Sequence, residues 1–382
     1  MSATVLAAPR RYDLDWLRIA AFGLLIFYHV GMFYVTWDFH VKSSRAGEAI
    51  EPLMMLLNPW RLSLLFLISG VATRFMADKM SAWRLLGLRA WRLFPPLLFG
   101  VFVIVAPQSY FQIVEAGFHI SWAEFYPHYL AGTGNWCDAD GCLYTPTYNH
   151  LWFVAYLLAY TIVLCAIWPL LRRLPIRFAP PAWLLLIGPW LVLWALRATL
   201  FQAFGETHDI FNDWYAHAAY GAVFLFGFGV AKFQPFYAVC LRARWWTLAL
   251  ALAGYAASMA FSYLLWADRE PSLMELNVAR AFREAQAWFA ITACIGFAHR
   301  YLRDADGPLR RYLTDAIFPF YIVHQTIIIA LGHWLDPIQL PLGLEAALII
   351  AGTALGCWAS YEIARRIPPL RPLFGLRLRP RA

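Results

Sequence analysis

The stretch RIAAFGLLIFYH, residues 18–29, opens on an arginine, runs through ten mostly apolar residues and closes on a histidine. Its apolar character extends on both sides, over roughly 15–37, long enough to cross a bilayer core of about 30 Å. A histidine in the middle of such a run is the feature to explain. Ionisable groups at the bilayer centre cost about 2.5–3.5 kcal/mol on insertion scales, so residues of this kind usually have a task.

The rest of the chain has the same character. Of 382 residues, 61% are apolar and only 14% charged, where a soluble domain carries about a quarter; the mean hydropathy is +0.54. The reading is an all-α, polytopic integral membrane helix bundle. About ten transmembrane helices are expected, at roughly 15–37, 53–76, 93–112, 150–171, 182–203, 215–232, 245–266, 285–302, 313–334 and 341–363. They form one membrane-embedded domain over 1–382, with tails at 1–14 and 364–382. No internal repeat is visible. The first run meets no small-residue cleavage site, so it reads as a retained helix rather than a signal peptide.

The net charge of +8 falls in short loops between spans, which topology explains better than nucleic-acid binding. Arg10 and Arg11, Lys79 to Arg92, Arg172 to Arg177, Arg242 and Arg244, Arg300 to Arg311 and the tail Arg365 to Arg381 share one side, whereas 108–150 holds no Lys or Arg. By the positive-inside rule both termini are cytoplasmic. Arg269, Arg280 and Arg283 in the loop 267–284 are the one exception. In the long outer loop, Cys137 and Cys142 either close a small disulfide loop or stay free. Asp138 and Asp140 look like a fragment of a calcium loop, but the other ligand positions are missing, and no metal is expected.

Arg18 and His29 are eleven residues apart, about 20° past three helical turns, so they share a face about 16 Å apart along the axis. Asp15, three residues before Arg18, is placed to orient its guanidinium. The plainer alternatives are an interface anchor for Arg18 and a helix-packing hydrogen bond for His29. In RLLGLRAWRLFPP (84–96), Arg89 and Arg92 lie three apart, a phosphate clamp unless they only mark the cytoplasmic side. NPWRLSLLFLISG (58–70) puts Arg61 in the outer half of the second helix and Ser69 in its inner half. NHLWFVAY (149–156) starts the fourth helix with Asn149, His150 and Trp152. FPFYIVHQ (318–325) sets His324 and Gln325 at the depth of His29. Arg61 has no acidic neighbour in sequence, which suggests an anionic ligand or a distant carboxylate. The pattern fits transfer of a group across the membrane: phosphates held by Arg18, Arg89 and Arg92, and an extended arm reaching about 15 Å inward to His29. Coenzyme A has that shape.

These residues resemble the acyltransferase-3 type of integral membrane O-acyltransferases: R-x10-H at Arg18–His29, R-x-x-R at Arg89–Arg92, FLISG around Ser69 and HLWF at His150. FHVKSS (39–44), FAHRYL (297–302), FPFYIVHQ and YEIARRIPPLRPLF (361–374) are most similar to its glucan biosynthesis protein C branch. The resemblance covers nearly the whole chain. It implies an acyl-CoA donor (succinyl-CoA or acetyl-CoA) on the cytoplasmic side, a periplasmic glucan acceptor outside, and His29, Arg18, Arg89 and Arg92 as site residues. One departure is His324–Gln325, where that branch carries His-His; it bears on the acceptor or acyl type.

The expected mechanism has His29 take a proton from a sugar hydroxyl as the oxygen attacks the thioester. Ser69 or His324 donates to the oxyanion, Arg61 reads the far carboxylate of a succinyl group, and Asn149, His150, Trp152 and Gln325 hold the acceptor. An acyl-His29 intermediate is the alternative route. A transporter or flippase shares the spans and mid-membrane polar residues, but calls for repeat symmetry and broken helices.

Overall fold

In the computed structural model, which describes residues 11–138, 141–173, 180–266 and 269–378, the opening stretch lies inside α1, Tyr12–Tyr34. The chain continues through α2 (Glu51–Ala77), α3 (Ala82–Phe99), a π-helical turn (Gly100–Ile104), α4 (Ala106–Glu115) and α5 (Trp122–Ala131). A two-residue hairpin, β1 (Cys137–Asp138) with β2 (Gly141–Cys142), precedes α6 (Trp152–Leu171). Then come α7 (Ala182–Leu196), a π segment (Arg197–Phe201), α8 (Gln202–Phe204), α9 (Trp214–Val230) and α10 (Gln234–Ala260), which ends in a third π segment (Phe261–Leu265). The last elements are α11 (Leu273–Tyr301), α12 (Pro308–Leu335), α13 (Leu342–Arg366) and α14 (Leu370–Leu373).

Seven of the described helical segments are long and apolar enough to cross a membrane: Tyr12–Tyr34, Glu48–Ala77, Ala82–Glu115, Asn149–Leu171, Gln234–Leu265, Pro308–Ile338 and Leu342–Arg366. The sequence-based count of about ten exceeds this by α7, α9 and α11. α7 carries only a short apolar stretch, Trp183–Thr199, and α9 is 17 residues long. α11 buries Glu284 and Gln286 among its apolar residues, which dilutes its hydropathy.

Three boundaries also move. α3, α10 and α11 begin about eleven residues before the apolar runs, because each has an amphipathic or charged first section that hydropathy alone discards. Ser81 caps α3 by accepting from the Arg84 backbone N–H. Ser272 and Glu275 form a capping box on α11. α5 was not expected. Cys137 and Cys142 are joined by a disulfide. Asp140 and the side chain of Asp138, like Arg10, Arg177, Arg379 and Arg381, lie outside the described residues.

Close helix crossings set the arrangement. The position of a Cβ on Gly70 is 2.0 Å from the Phe224 carbonyl oxygen, and on Gly227 2.2 Å from that of Leu67. Only glycine lets α2 and α9 approach this closely. Gly254 meets Phe282 and Gln286, and Gly296 meets Cys240 and Arg244, so α10 and α11 form an antiparallel pair. α1 and α12 run parallel: Arg18 bonds the Thr314 carbonyl at 3.0 Å, His29 meets His324, and Phe33 meets Gly332. That register brings two sequence-distant histidines together. At the core, Phe66 packs on Phe153 and Tyr220, with ring centroids 4.5 and 4.9 Å away.

FHVKSS (39–44) is the loop that closes the far end of α1. Lys42 Nζ donates to the carbonyls of Met32 at 2.7 Å, of Trp37 at 2.8 Å and of Val35. A cation there meets carbonyls with no helical partner. Ser43 and Ser44 Oγ donate to Asp336 at 3.0 and 3.1 Å. Phe39 then lies parallel to the His29 ring, centroids 6.3 Å apart.

Candidate active site

His324 is fully buried, and its Nδ1 lies 2.7 Å from the Tyr321 carbonyl oxygen. That oxygen only accepts, so Nδ1 carries the proton. In the neutral ring Nε2 is then a lone pair, and it sits 2.7 Å from Nδ1 of His29. His29 Nδ1 must donate, which leaves His29 Nε2 unprotonated. His29 lines a cavity of about 890 Å³, within the usual range for small-molecule sites.

Behind this pair a polar layer is held by Gln108, which is fully buried on α4. Its Oε1 accepts from Asn149 and Gln325, both at 3.1 Å. Its Nε2 donates to Thr326 Oγ1 at 2.7 Å and to His150 Nδ1 at 3.3 Å. His150 Nε2 donates to the Ile322 carbonyl at 3.0 Å, and Tyr321 Oη donates to the His150 carbonyl. Gln108 thus uses both donors and both acceptor positions, as a buried amide should.

The cavity's other wall is charged and aromatic. Arg61, 4% exposed, lies face-on to the Tyr28 ring at 3.3 Å and makes one long hydrogen bond, 3.4 Å to Asn58 Oδ1. Its Nε has no partner, and among the described residues no carboxylate lies within 4.0 Å of it. Trp152 stacks on His208, centroids 4.2 Å apart. Glu206 accepts from Tyr220 Oη at 2.7 Å and lies 3.7 Å from His208 Nε2. Arg283, paired with Glu284 at 2.9 Å, lines the same cavity. On the strap after α1, His40 Nδ1 donates to Gln112 at 2.7 Å. Burial pushes the His40 imidazole below its ordinary value, and the Gln112 bond and Asp38 only partly oppose this.

The family described as an acyltransferase domain matches this chain over residues 11–362. The chain belongs to the acyltransferase-3 family. It is a membrane acyltransferase, which sets the transporter reading aside. Similar proteins are those named glucans biosynthesis protein C in Salmonella paratyphi B, Salmonella dublin and Salmonella enteritidis. Each is 22% identical over 390 residues, an alignment that spans 96% of this chain and 95% of the relative. No solved structure matches.

Of the residues singled out in the sequence of this acyltransferase, His29, Arg61, Asn149, His150, Trp152 and Gln325 line one cavity, with His324 directly behind His29. Arg18, Arg89 and Arg92 do not line it. Arg18 bonds Thr314, and Arg89 Nε donates to Thr161 Oγ1 at 3.1 Å while its buried Nη2 has no partner. Arg92 is exposed.

Asp15 lies 4.0 Å from Arg18, the pair its helical spacing predicts, and 2.6 Å from Arg310, a second cation that spacing within α1 could not reveal. Two other assignments need correction. His324 has both ring nitrogens engaged, by Tyr321 and His29, so it has no proton to offer an oxyanion. Ser69 is also misplaced as an oxyanion donor: it does not line the cavity and lies eight residues beyond Arg61 on α2, about 12 Å further along the helix.

Sequence reasoning missed Gln108, Glu206 and His208 as wall or support residues. A glutamine in an apolar helix is a weak signal, and loop residues give none. Arg283 did leave one, as part of the exception to the positive-inside pattern: it points into the cavity's charged wall.

Proposed function

We propose that this acyltransferase moves an acyl group, succinyl or acetyl, from acyl-CoA to a hydroxyl of an envelope glycan, with a periplasmic glucan as acceptor. The observation that carries this reading is His29 Nδ1 held 2.7 Å from His324 Nε2, which leaves His29 Nε2 as the base, in a cavity roomy enough for a sugar. His29 takes the hydroxyl proton as the oxygen attacks the thioester carbon, then returns it to the departing thiolate. Arg18, at the opposite end of α1 about 16 Å from His29, holds the donor's phosphates together with Arg89 and Arg92. Arg61 binds the carboxylate of a succinyl group, an interaction that an acetyl donor does not need. Asn149, His150, Trp152 and Gln325 form the acceptor wall. The names of the Salmonella relatives support a glucan acceptor. In this reading α7, α9 and α11 also cross the membrane, making ten spans, with both termini on the cytoplasmic side of a bacterial inner membrane.

The test is transfer of labelled acyl from acyl-CoA to glucan by the reconstituted protein. His29→Ala should lower turnover by about 10²–10⁴-fold while the protein stays folded. Near-normal glycan acylation by that variant would remove His29 from the chemistry.

A further inference from the structure

The protonation states derived above leave His324 with an unusual duty. An ordinary orienting partner for a catalytic histidine is a carboxylate or a carbonyl, which accepts a hydrogen bond and keeps the ring fixed. Here the partner is a second neutral imidazole, itself donating to a backbone carbonyl. Such a partner does two things: it fixes the His29 ring, and its Nε2 offers a lone pair that can receive a proton.

We infer that His324 is a positioning residue through which the reaction's proton is relayed, so that the positive charge formed during acyl transfer rests on His324 rather than on His29. This rests on His29 being the base. The acceptor O–H bond breaks, its proton goes to His29 Nε2, and the oxygen forms the new bond to the acyl carbon. In the same motion the His29 Nδ1–H proton passes to His324 Nε2, over the 2.7 Å that separates the two nitrogens. His29 is then neutral again, and His324 is an imidazolium with both N–H groups engaged: Nδ1 with the Tyr321 carbonyl, also at 2.7 Å, and Nε2 with His29. When the tetrahedral intermediate collapses the protons run backwards. His324 returns its proton to His29 Nδ1, His29 Nε2 gives its own to the leaving sulfur, and both rings regain their starting forms.

The surroundings favour that shift. The cavity lined by His29 is also lined by Arg61 and Arg283, so a cation on His29 meets like charges. His324 does not line the cavity. Moving the charge one imidazole deeper increases its distance from the arginines and places it against a carbonyl that already accepts from the ring. His324 is fully buried, so desolvation opposes the shift. The two charge-assisted hydrogen bonds that the imidazolium makes are what offset this cost.

His324→Gln separates orientation from relay: the glutamine Oε1 accepts from His29 Nδ1–H where Nε2 did, but cannot take the proton. In the reconstituted enzyme, His324→Gln should lower kcat by about 100-fold, with KM for donor and acceptor within about twofold of wild type. The dependence of kcat on deuterium fraction in the solvent should be curved in wild type, as two moving protons require, and linear in the variant. The wild-type curve needs no substitution, so a folding defect in the variant leaves the test intact. A linear wild-type dependence, a variant kcat within about threefold of wild type, or a variant that stays curved overturns the relay. An active His29→Ala would instead overturn the base assignment. Loss in His29→Ala beside an unaffected His324→Gln overturns the relay alone.

Discussion

Arg61 shows how much one side chain's surroundings alter its meaning. In sequence it is a charge inside an apolar run. In the fold it is 4% exposed, lies on the Tyr28 ring and makes a long hydrogen bond to Asn58, with no carboxylate within 4.0 Å among the described residues. A buried guanidinium of this kind is costly unless an anion completes it. Arg61→Met should raise KM for a dicarboxylic acyl donor by about 10- to 100-fold, the equivalent of a hydrogen bond to a charged group of about 1.5–3 kcal/mol. Acetyl transfer should change little. Equal losses with both donors, measured by steady-state kinetics, would make Arg61 a structural residue. At this scale the sequence marked six of the cavity residues because polar groups stand out in apolar helices. It missed Arg310 as a second partner of Asp15 and misplaced Ser69, because both depend on which other helix lies alongside.

At the level of elements, helix contacts are set by small residues as much as by apolar faces. Gly227 on α9 lies against the Leu67 backbone of α2, where an added Cβ would come within 2.2 Å of the carbonyl oxygen. Two residues further on, Gly229 has nothing within 4 Å of the same position. Gly227→Ala should therefore destabilise the protein by about 1–3 kcal/mol through overpacking. Gly229→Ala should be neutral or stabilise it by up to about 1 kcal/mol through helix propensity. Thermal unfolding in detergent compares the two, and equal shifts would disprove the close crossing. The strap at 39–44 belongs to this scale too. Its residues look like a surface loop in sequence, yet Lys42 caps α1 and Phe39 covers His29, so the loop joins helix termination to the site.

Across the whole molecule, one wall of the cavity carries charges from several segments, Arg61 of α2, Glu206 and His208 of the loop after α8 and Arg283 of α11, backed by Arg197 of the π segment after α7 and Glu284 of α11. Arg197 lies 2.5 Å from Glu284 and 3.9 Å from Glu206. Burial works against ionisation of Glu206, but His208 at 3.7 Å, the nearby Arg283 charge and the Tyr220 hydrogen bond outweigh it and hold the carboxyl at about 2. Its usual value is 4.5. A depressed carboxylate stabilises the fold fully above the unfolded value, and that contribution is lost as pH falls from about 4.5 towards 2. Unfolding followed by fluorescence across this window should show a steeper loss for wild type than for Glu206→Gln. Identical profiles would mean that the network contributes nothing to acid stability.

By itself the sequence determined the class of molecule, most of the helices and the family, because apolar length, loop charge and short motifs are local properties of the chain. It could mark His29, Arg61, His150 and Gln325 as out of place in a membrane helix, since burying a polar group is costly wherever it occurs. Which of them meet was decided by the tertiary structure alone. The parallel register of α1 and α12 puts His324 on His29, Gln108 ties three segments behind them, and Arg310 joins Arg18 beside Asp15. Those pairings join residues up to about 300 positions apart, and no periodicity within one helix encodes the rotation and depth of another.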